Sequence, residues 1–285
     1  MVTTVSHSEI ESYLLCERKH FYGYAMGIQR IEESAALNRG TLGHKVLETY
    51  YKTILEGAAN IIAENRAMNY LKSQFGIASS DLIDEVAKLV KFHFMAAPFA
   101  NYKILAVEQE YVLPISDDLA YPFVVDLIVQ DPAHKIVLVD HKFTYDFYTQ
   151  KQMGTMPQIP KYIGALRALG MNVDYGLYNI LRYRKMAHPE LSDRNQLIEI
   201  RPTEARILRT FEECLQAVEQ VTERKSHTLL EQSKLDLRIS SKMVCDSCSY
   251  NNICVAELNQ TNPDLVLRSE YKLRERRTFK VEEAK

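Results

Sequence analysis

A chain of 285 residues with 46% apolar side chains is long enough to bury a substantial core without a metal or disulfides to hold it. Its net charge of -2 excludes a globally basic nucleic-acid binder, so contacts to an anionic polymer must come from local patches. No apolar run of about eighteen residues and no basic-then-apolar leader occurs, so the chain reads as soluble and cytosolic, with its five cysteines reduced and available as metal ligands or reactive groups.

Ser6-x-x-Glu9 has the form of a capping box, and Ile10, Tyr13, Leu14 and Phe21 follow at helical spacing, which predicts an opening helix that carries Cys16. Further helical patterns run over about 35–55, 61–75 and 81–95. The pattern then changes: KILAVEQEYVLPI, YPFVVDLIVQ and HKIVLVDHKF are β-rich and separated by turn-prone DD and DPAH, which predicts an antiparallel meander. A helix from near Pro157, the strand DYGLYNILRYR and helical segments over about 202–232 complete an α, β, β, β, α, β order inside a helical surround. No internal repeat or low-complexity tract interrupts it. The expectation is therefore one α/β domain over 1–285, with an N-terminal segment 1–34, a core 35–235, and a C-terminal segment 236–285 ending in a basic tail. In that tail LRSEYKLRERR offers Arg268, Lys272, Arg274, Arg276 and Arg277, either as a phosphate-binding patch or as a solvated helix face.

Two carboxylates stand out because they interrupt apolar strands. Asp126 lies between Phe123-Val124-Val125 and Leu127-Ile128-Val129, and Asp140 follows Ile136-Val137-Leu138-Val139. Desolvating a carboxylate there costs several kcal/mol, roughly, unless it is paired or coordinates a cation. Residues i and i+2 of a strand share a face, so Asp140 and Lys142 emerge together, and a neighbouring strand can bring Asp126 beside them. Hard oxygen ligands of this kind suit Mg2+ or Mn2+; the backbone carbonyl of His141 can add another, and Lys142 can orient an attacking water. A plain Asp140–Lys142 salt bridge at a strand edge accounts for the tripeptide alone. Glu108 and Glu110 share one face of the first β-rich run, from which either can join the acidic group.

RGTLGHKVLE places His44 on a helix behind Gly40 and Gly43, and MPQIPKYIGAL places Gln158 and Tyr162 four apart at a helix start. His44, Asp126, Asp140-His141-Lys142 and Gln158-x3-Tyr162, in this order, resemble the RecB-like branch of the PD-(D/E)xK nucleases over nearly the whole chain. The resemblance implies a restriction-endonuclease-like αβββαβ core, hydrolysis of DNA phosphodiesters assisted by Mg2+ or Mn2+, and single strands or free ends as substrate. It implies His44, Asp126 and Asp140 as metal ligands, Lys142 as the catalytic lysine, and Gln158 and Tyr162 as contacts to the DNA strand. Two positions depart from the pattern: Phe123 stands where the family often has Gly, and Asp140 where many members have Glu, an accepted alternative. Stand-alone members of this kind act in CRISPR adaptation or phage recombination, which implies such partner proteins and a bacterial, archaeal or phage-infected cytoplasm. A DNA-end-binding subunit with the same fold and little catalysis is the competing function.

The cysteines complete the reading. VCDSCSYNNIC holds Cys245, Cys248 and Cys254 at C-x2-C-x5-C, one thiolate short of a tetrahedral set. Cys214 lies on an apolar stripe and reads as core. Related nucleases pair one upstream cysteine with three downstream, which this chain matches at Cys16. The resemblance thus implies a 4Fe-4S cluster that clasps the N- and C-terminal segments, although zinc also accepts four thiolates. Arg18, Lys19, Tyr13, Phe21, Tyr22 and Tyr24 lie close by as phosphate contacts and stacking faces, with most of the aromatics expected in the core.

Overall fold

The computed structural model describes residues 2–32, 35–185, 187, 189–239, 241–275 and 279. Its first half contains β1 (Thr3–Thr4), α1 (His7–Leu15), α2 (Glu17–His20), a π-helical turn (Phe21–Ala25), β2 (Ile28–Arg30), α3 (Ala35–Leu55), α4 (Asn60–Ser73), α5 (Ser80–Ala96), β3 (Lys103–Ser116), β4 (Leu119–Gln130) and β5 (Ile136–Thr144). The remainder contains α6 (Gln150–Thr155), α7 (Gln158–Ala168), β6 (Tyr175–Arg182), a 3-10 turn (Leu191–Asp193), β7 (Asn195–Ile200), α8 (Glu204–Ser226), α9 (Leu229–Leu235), α10 (Lys242–Asp246), α11 (Asn251–Leu258), α12 (Pro263–Glu270) and β8 (Tyr271–Leu273). Two compact units divide these: Met1–Glu33 with Val112–Phe123 and Glu212–Lys285, and Ser34–Tyr111 with Val124–Phe211. Among the described residues no helix is long and apolar enough to cross a membrane.

The second unit carries the expected α, β, β, β, α, β order on a mixed sheet. β3 pairs with β4, β4 runs antiparallel to β5, β5 parallel to β6, and β6 antiparallel to β7. The β4–β5 connection is the DPAH turn, where Asp131 Oδ1 accepts the backbone N–H groups of Ala133 (2.8 Å) and Lys135 (2.9 Å) and so ends one strand and starts the next. The parallel β5–β6 pair requires a crossover, and α6 and α7 supply it. Alternation sorts the strand residues between two faces. Leu127, Val129, Val137, Val139, Leu177 and Leu181 enter one large core with Leu42, Val46 and Leu47 of α3 and Val86 and Val90 of α5. The other face receives α7: Gly176 has no side chain because Ile159 of α7 fills the space a Cβ would take.

The first unit joins segments far apart in sequence. Thr3 and Thr4 pair in parallel with Leu119 and Ala120, and β2 pairs antiparallel with β8. Its core includes Phe21, Tyr22, Ile28, Tyr250, Ile253 and Tyr271. Several details differ from the sequence expectation. Ser6 accepts the Glu9 backbone N–H at 3.4 Å, but the Glu9 carboxylate pairs with His20 (3.1 Å) and Lys225 (2.9 Å) instead of closing a capping box. The opening helix breaks at Cys16, which is extended (φ -169°, ψ 116°) between α1 and α2 and so does not lie on a helix. The basic tail changes from helix to strand at Tyr271; Arg274 stacks 4.5 Å from the Tyr24 ring, and Arg276 and Arg277 lie outside the described residues. Arg18, Phe21 and Tyr22 are buried, which removes them as surface contacts for a nucleic acid.

Candidate functional site

β4 and β5 are in register from Gln130↔Ile136 to Leu127↔Val139. One step further the printed ladder stops, and the Asp126 carboxylate replaces the strand bond: its Oδ2 accepts the backbone N–H of His141 at 2.8 Å. The acid is thereby fixed beside the reactive strand by that strand's own backbone. Asp140 and Lys142 project together, as the alternation requires, with Lys142 Nζ 2.8 Å from Asp140 Oδ2. That approach has the distance of an ion pair but not the direction of a hydrogen bond, so Oδ2 is buried without a hydrogen-bond donor among the described residues. Gln158, the first residue of α7, ties the two together: its Nε2 donates to Asp140 Oδ1 (2.6 Å) and its Oε1 accepts from Lys142 Nζ (2.8 Å).

His44 arrives from α3. Gly43 packs against the Phe143 ring so closely that a Cβ would overlap it, and this contact lets α3 lie on β5 with the next residue at the strand end. His44 Nδ1 is 3.4 Å from Asp126 Oδ2 and 3.8 Å from Glu108 Oε1. His44, Glu108 and Asp126 each offer one ligand atom, all within 4.8 Å of one another. Glu108 has a left-handed backbone, φ 46°, inside a strand, a conformation unusual for a side-chain-bearing residue and concentrated at functional sites. Of the two glutamates on the first β-rich run, it is the one that reaches the group. Burial pushes the Asp126 carboxyl up to about 7; the nearby charges of Asp140 and Glu108 add to this and His44 opposes it. Burial disfavours the His44 imidazolium, but Asp126, with Glu108 and Asp140, outweighs it and raises that pKa to about 9. Acids repelling one another around a histidine form a site whose charge a divalent cation would balance, and imidazole with carboxylates is a donor set that suits Mg2+ or Mn2+.

The His141 side chain points away from this group. Its ring stacks on Tyr51 with centroids 5.7 Å apart, and its Nδ1 lies 2.8 Å from Asn179 Nδ2. Tyr51 in turn bonds His93 Nε2 at 2.6 Å. Burial keeps both imidazoles neutral, His93 near 4 and His141 well below the usual histidine range. This buried polar cluster behind β5 was not apparent in the sequence, since Tyr51, His93 and Asn179 form no local pattern. Tyr162 is buried on α7, one turn from Gln158.

All four paired-off cysteines fall in the first unit. Cys245 is on α10, Cys254 on α11, Cys248 between them, and Cys16 at the α1–α2 break. Cys248 and Cys254 pack against the core of Phe21, Tyr22 and Tyr250. The Tyr250 backbone N–H donates to Cys248 Sγ at 3.4 Å. Burial raises the Cys248 thiol pKa; Tyr250 N–H and Lys19 oppose this, while neighbouring Cys16 and Cys254 add to it. The thiols do not form a group within 4.8 Å of one another as the His44 group does. Cys214 is buried at 3% exposure, as its apolar stripe suggested.

A mixed sheet with acids and a lysine at the ends of β4 and β5, and a glutamine from the crossover helix, defines a metal-dependent nuclease class of site. The profile described as the PD-(D/E)XK nuclease superfamily matches residues 4–255, and the chain belongs to that superfamily. No curated protein matches the chain. Among solved structures, one titled "Crystal structure of SSO0001" aligns at 14% identity over 87% of this chain and 97% of its own, with a TM-score of 0.33.

Proposed function

We propose that this chain is a DNA exonuclease that hydrolyses phosphodiester bonds with Mg2+ or Mn2+, preferring single strands with free ends. The observation that carries the proposal is the convergence of His44, Glu108 and Asp126 donors beside the Asp140–Lys142–Gln158 group. His44, Asp126 and Asp140 would hold the ion, with the His141 backbone carbonyl as a further oxygen and Glu108 as an added ligand. Held there, a divalent ion supplies charge neutralisation at the phosphate and acidifies the attacking water. Lys142 orients that water and offsets the negative charge that develops on the phosphate oxygens. Gln158 keeps Lys142 and Asp140 in register through its two hydrogen bonds, and the Gln158–Tyr162 end of α7 lies along the DNA strand. The preference for single strands and ends rests on the RecB-like resemblance, as does assignment to recombination or CRISPR-adaptation proteins as partners.

We infer further that Cys16, Cys245, Cys248 and Cys254 hold a 4Fe-4S cluster of structural role. The N–H donated to Cys248 Sγ and the mutual influence of Cys248 with Cys16 and Cys254 support this, because cluster thiolates are stabilised by such hydrogen bonds. Iron and sulfide analysis of anaerobically prepared protein tests it: about four of each are expected per chain, and zinc without iron would replace the cluster and leave the nuclease proposal intact.

Cleavage of end-labelled single-stranded DNA with Mn2+ tests the activity. Lys142→Ala should lower the rate at least about a hundredfold; an undiminished mutant would falsify the catalytic assignment. Circular single strands should resist, and equal cutting of circles and linear strands would remove end dependence.

A further inference from the structure

β5 does not end at its reactive residues. Past Lys142 the chain continues Phe143-Thr144-Tyr145-Asp146, and the parallel strand β6 leaves the sheet as Arg182-Tyr183-Arg184. The Tyr183 N–H donates to the Thr144 carbonyl at 2.9 Å, which keeps the two exits side by side one step beyond the ladder. There the rings of Tyr145 and Tyr183 meet edge to face, with centroids 5.7 Å apart at 71°. The Arg39 guanidinium lies 3.9 Å from the Tyr183 centroid and is held there by Glu85 at 2.7 Å. Arg184 Cζ is 5.9 Å from the Tyr145 centroid, with its Nη1 on Asp146 at 3.0 Å.

Tyrosines that only stabilise this sheet turn inward, as Tyr175 and Tyr178 of β6 do. Tyr145 is instead 56% exposed while its edge is braced by a second ring. A braced aromatic ring beside a guanidinium is the combination that stacks an unpaired base and attracts its phosphates. Its place along the strand gives it a task, since Tyr145 follows Lys142 by three residues, about 10 Å of extended chain. A nucleotide close to a phosphate held at Lys142 can reach it. Bases within a duplex are already stacked on their neighbours and present no face to such a ring.

We propose that Tyr145, braced by Tyr183 and flanked by Arg184, is a stacking subsite for an unpaired nucleobase close to the scissile phosphate. This rests on the nuclease reading above and gives its substrate a class, a strand that is single-stranded at the point of cleavage.

Anisotropy of a labelled single-stranded oligonucleotide with the full-length protein, with Ca2+ in place of Mn2+, measures binding. Tyr145→Ala should weaken it about tenfold, whereas Tyr145→Phe, which keeps the ring, should bind as wild type does. A single abasic position moved along the oligonucleotide should, at one place near the cut, abolish the difference between wild type and Tyr145→Ala. Equal affinity of wild type and Tyr145→Ala, a loss that persists at every abasic position, or no binding by wild type would each overturn the subsite. Cleavage with Mn2+ separates the two readings. Binding that depends on Tyr145 without any cleavage refutes the nuclease and keeps the subsite; cleavage whose KM is unchanged in Tyr145→Ala does the reverse. Because Tyr145 is exposed, Tyr145→Ala should melt at the wild-type temperature, and the comparison reads binding rather than folding.

Discussion

Glu108 shows how a single side chain can belong to a site without announcing it. Asp126, Asp140 and Lys142 are legible in the sequence because a charge that interrupts an apolar strand requires a partner or a cation. Glu108 sits in ordinary strand surroundings, and what brings it to His44 is a left-handed φ of 46°, which tertiary packing imposes and no local pattern encodes. Strain of this kind costs roughly 1–3 kcal/mol and persists where the surroundings hold it. Glu108→Ala should therefore lower Mn2+ affinity about 10- to 100-fold with little loss of stability, as read by titration calorimetry and thermal melting. The same titration has a defined pH dependence. Without metal, His44 holds a proton below about 9 and Asp126 below about 7. Both must be deprotonated to coordinate an ion, so bound protons compete with it. Mn2+ affinity should rise from pH 6 to 9, more steeply below 7 where two protons leave than above it where one does. A pH-independent affinity would exclude these two residues as ligands.

At the scale of elements, the two glycines of RGTLGH separate by what faces them. Both lie in α3, where glycine is less favourable than alanine by roughly 1 kcal/mol. Nothing stands within 4 Å of a Cβ at Gly40, while one at Gly43 meets the Phe143 ring, itself 5.6 Å from the His44 ring. Gly40→Ala should stabilise the protein by up to about 1 kcal/mol. Gly43→Ala gains the same propensity but overpacks the contact, at a cost of about 1–3 kcal/mol, so denaturant titration should show a net loss or no gain. It should also weaken Mn2+ binding, because the displaced ring pushes on His44; Phe143→Leu in the same chain should restore part of both. The three central strands were legible from apolar runs and turn residues, and α3 to α5 from periodicity. β7 was not, because an edge strand reading Asn-Gln-Leu-Ile-Glu-Ile has too few apolar residues to stand out. The continuous helix expected to about residue 232 ends at Ser226, and Thr228-x-x-Glu231 opens α9 with a full capping box, a signal present in the sequence but outweighed there by the helical run. Cys16 illustrates the opposite limit: periodicity carried the first helix through it, whereas its extended backbone depends on contacts far along the chain, including the Arg18 N–H donated to the Leu237 carbonyl at 3.3 Å.

Across the whole chain, the first unit is assembled from both ends of the sequence, and the cysteines are not its sole clasp. Arg18 is buried over the rings of Phe21 and Tyr22, pairs with Glu257, and donates to the Ser233 carbonyl at 3.2 Å. Glu257 also accepts from Tyr22 (2.7 Å) and Arg238 (2.6 Å), so one carboxylate holds two N-terminal side chains and one from the C-terminal segment. Burial alone would raise the Glu257 pKa, but its hydrogen bonds to Arg18 and Tyr22, with the Arg18 and Arg238 charges, hold it below the ordinary carboxylate value. Such a group stabilises the fold above its unfolded pKa and loses that contribution as pH falls through the lower folded one. Acid should thus loosen this unit below about pH 4.3. Removing one partner leaves the other buried and uncompensated, which costs about 3–5 kcal/mol, whereas replacing both with apolar residues is close to neutral. Glu257→Ala should accordingly destabilise the protein by that amount in denaturant titrations, and Arg18→Met with Glu257→Leu should recover most of it. Cys248→Ser gives the contrast, since it should lower iron content while leaving the Arg18–Glu257 pair intact. If Glu257→Ala leaves stability unchanged, the ion pair does not join the chain ends, and the thiol site alone must do so.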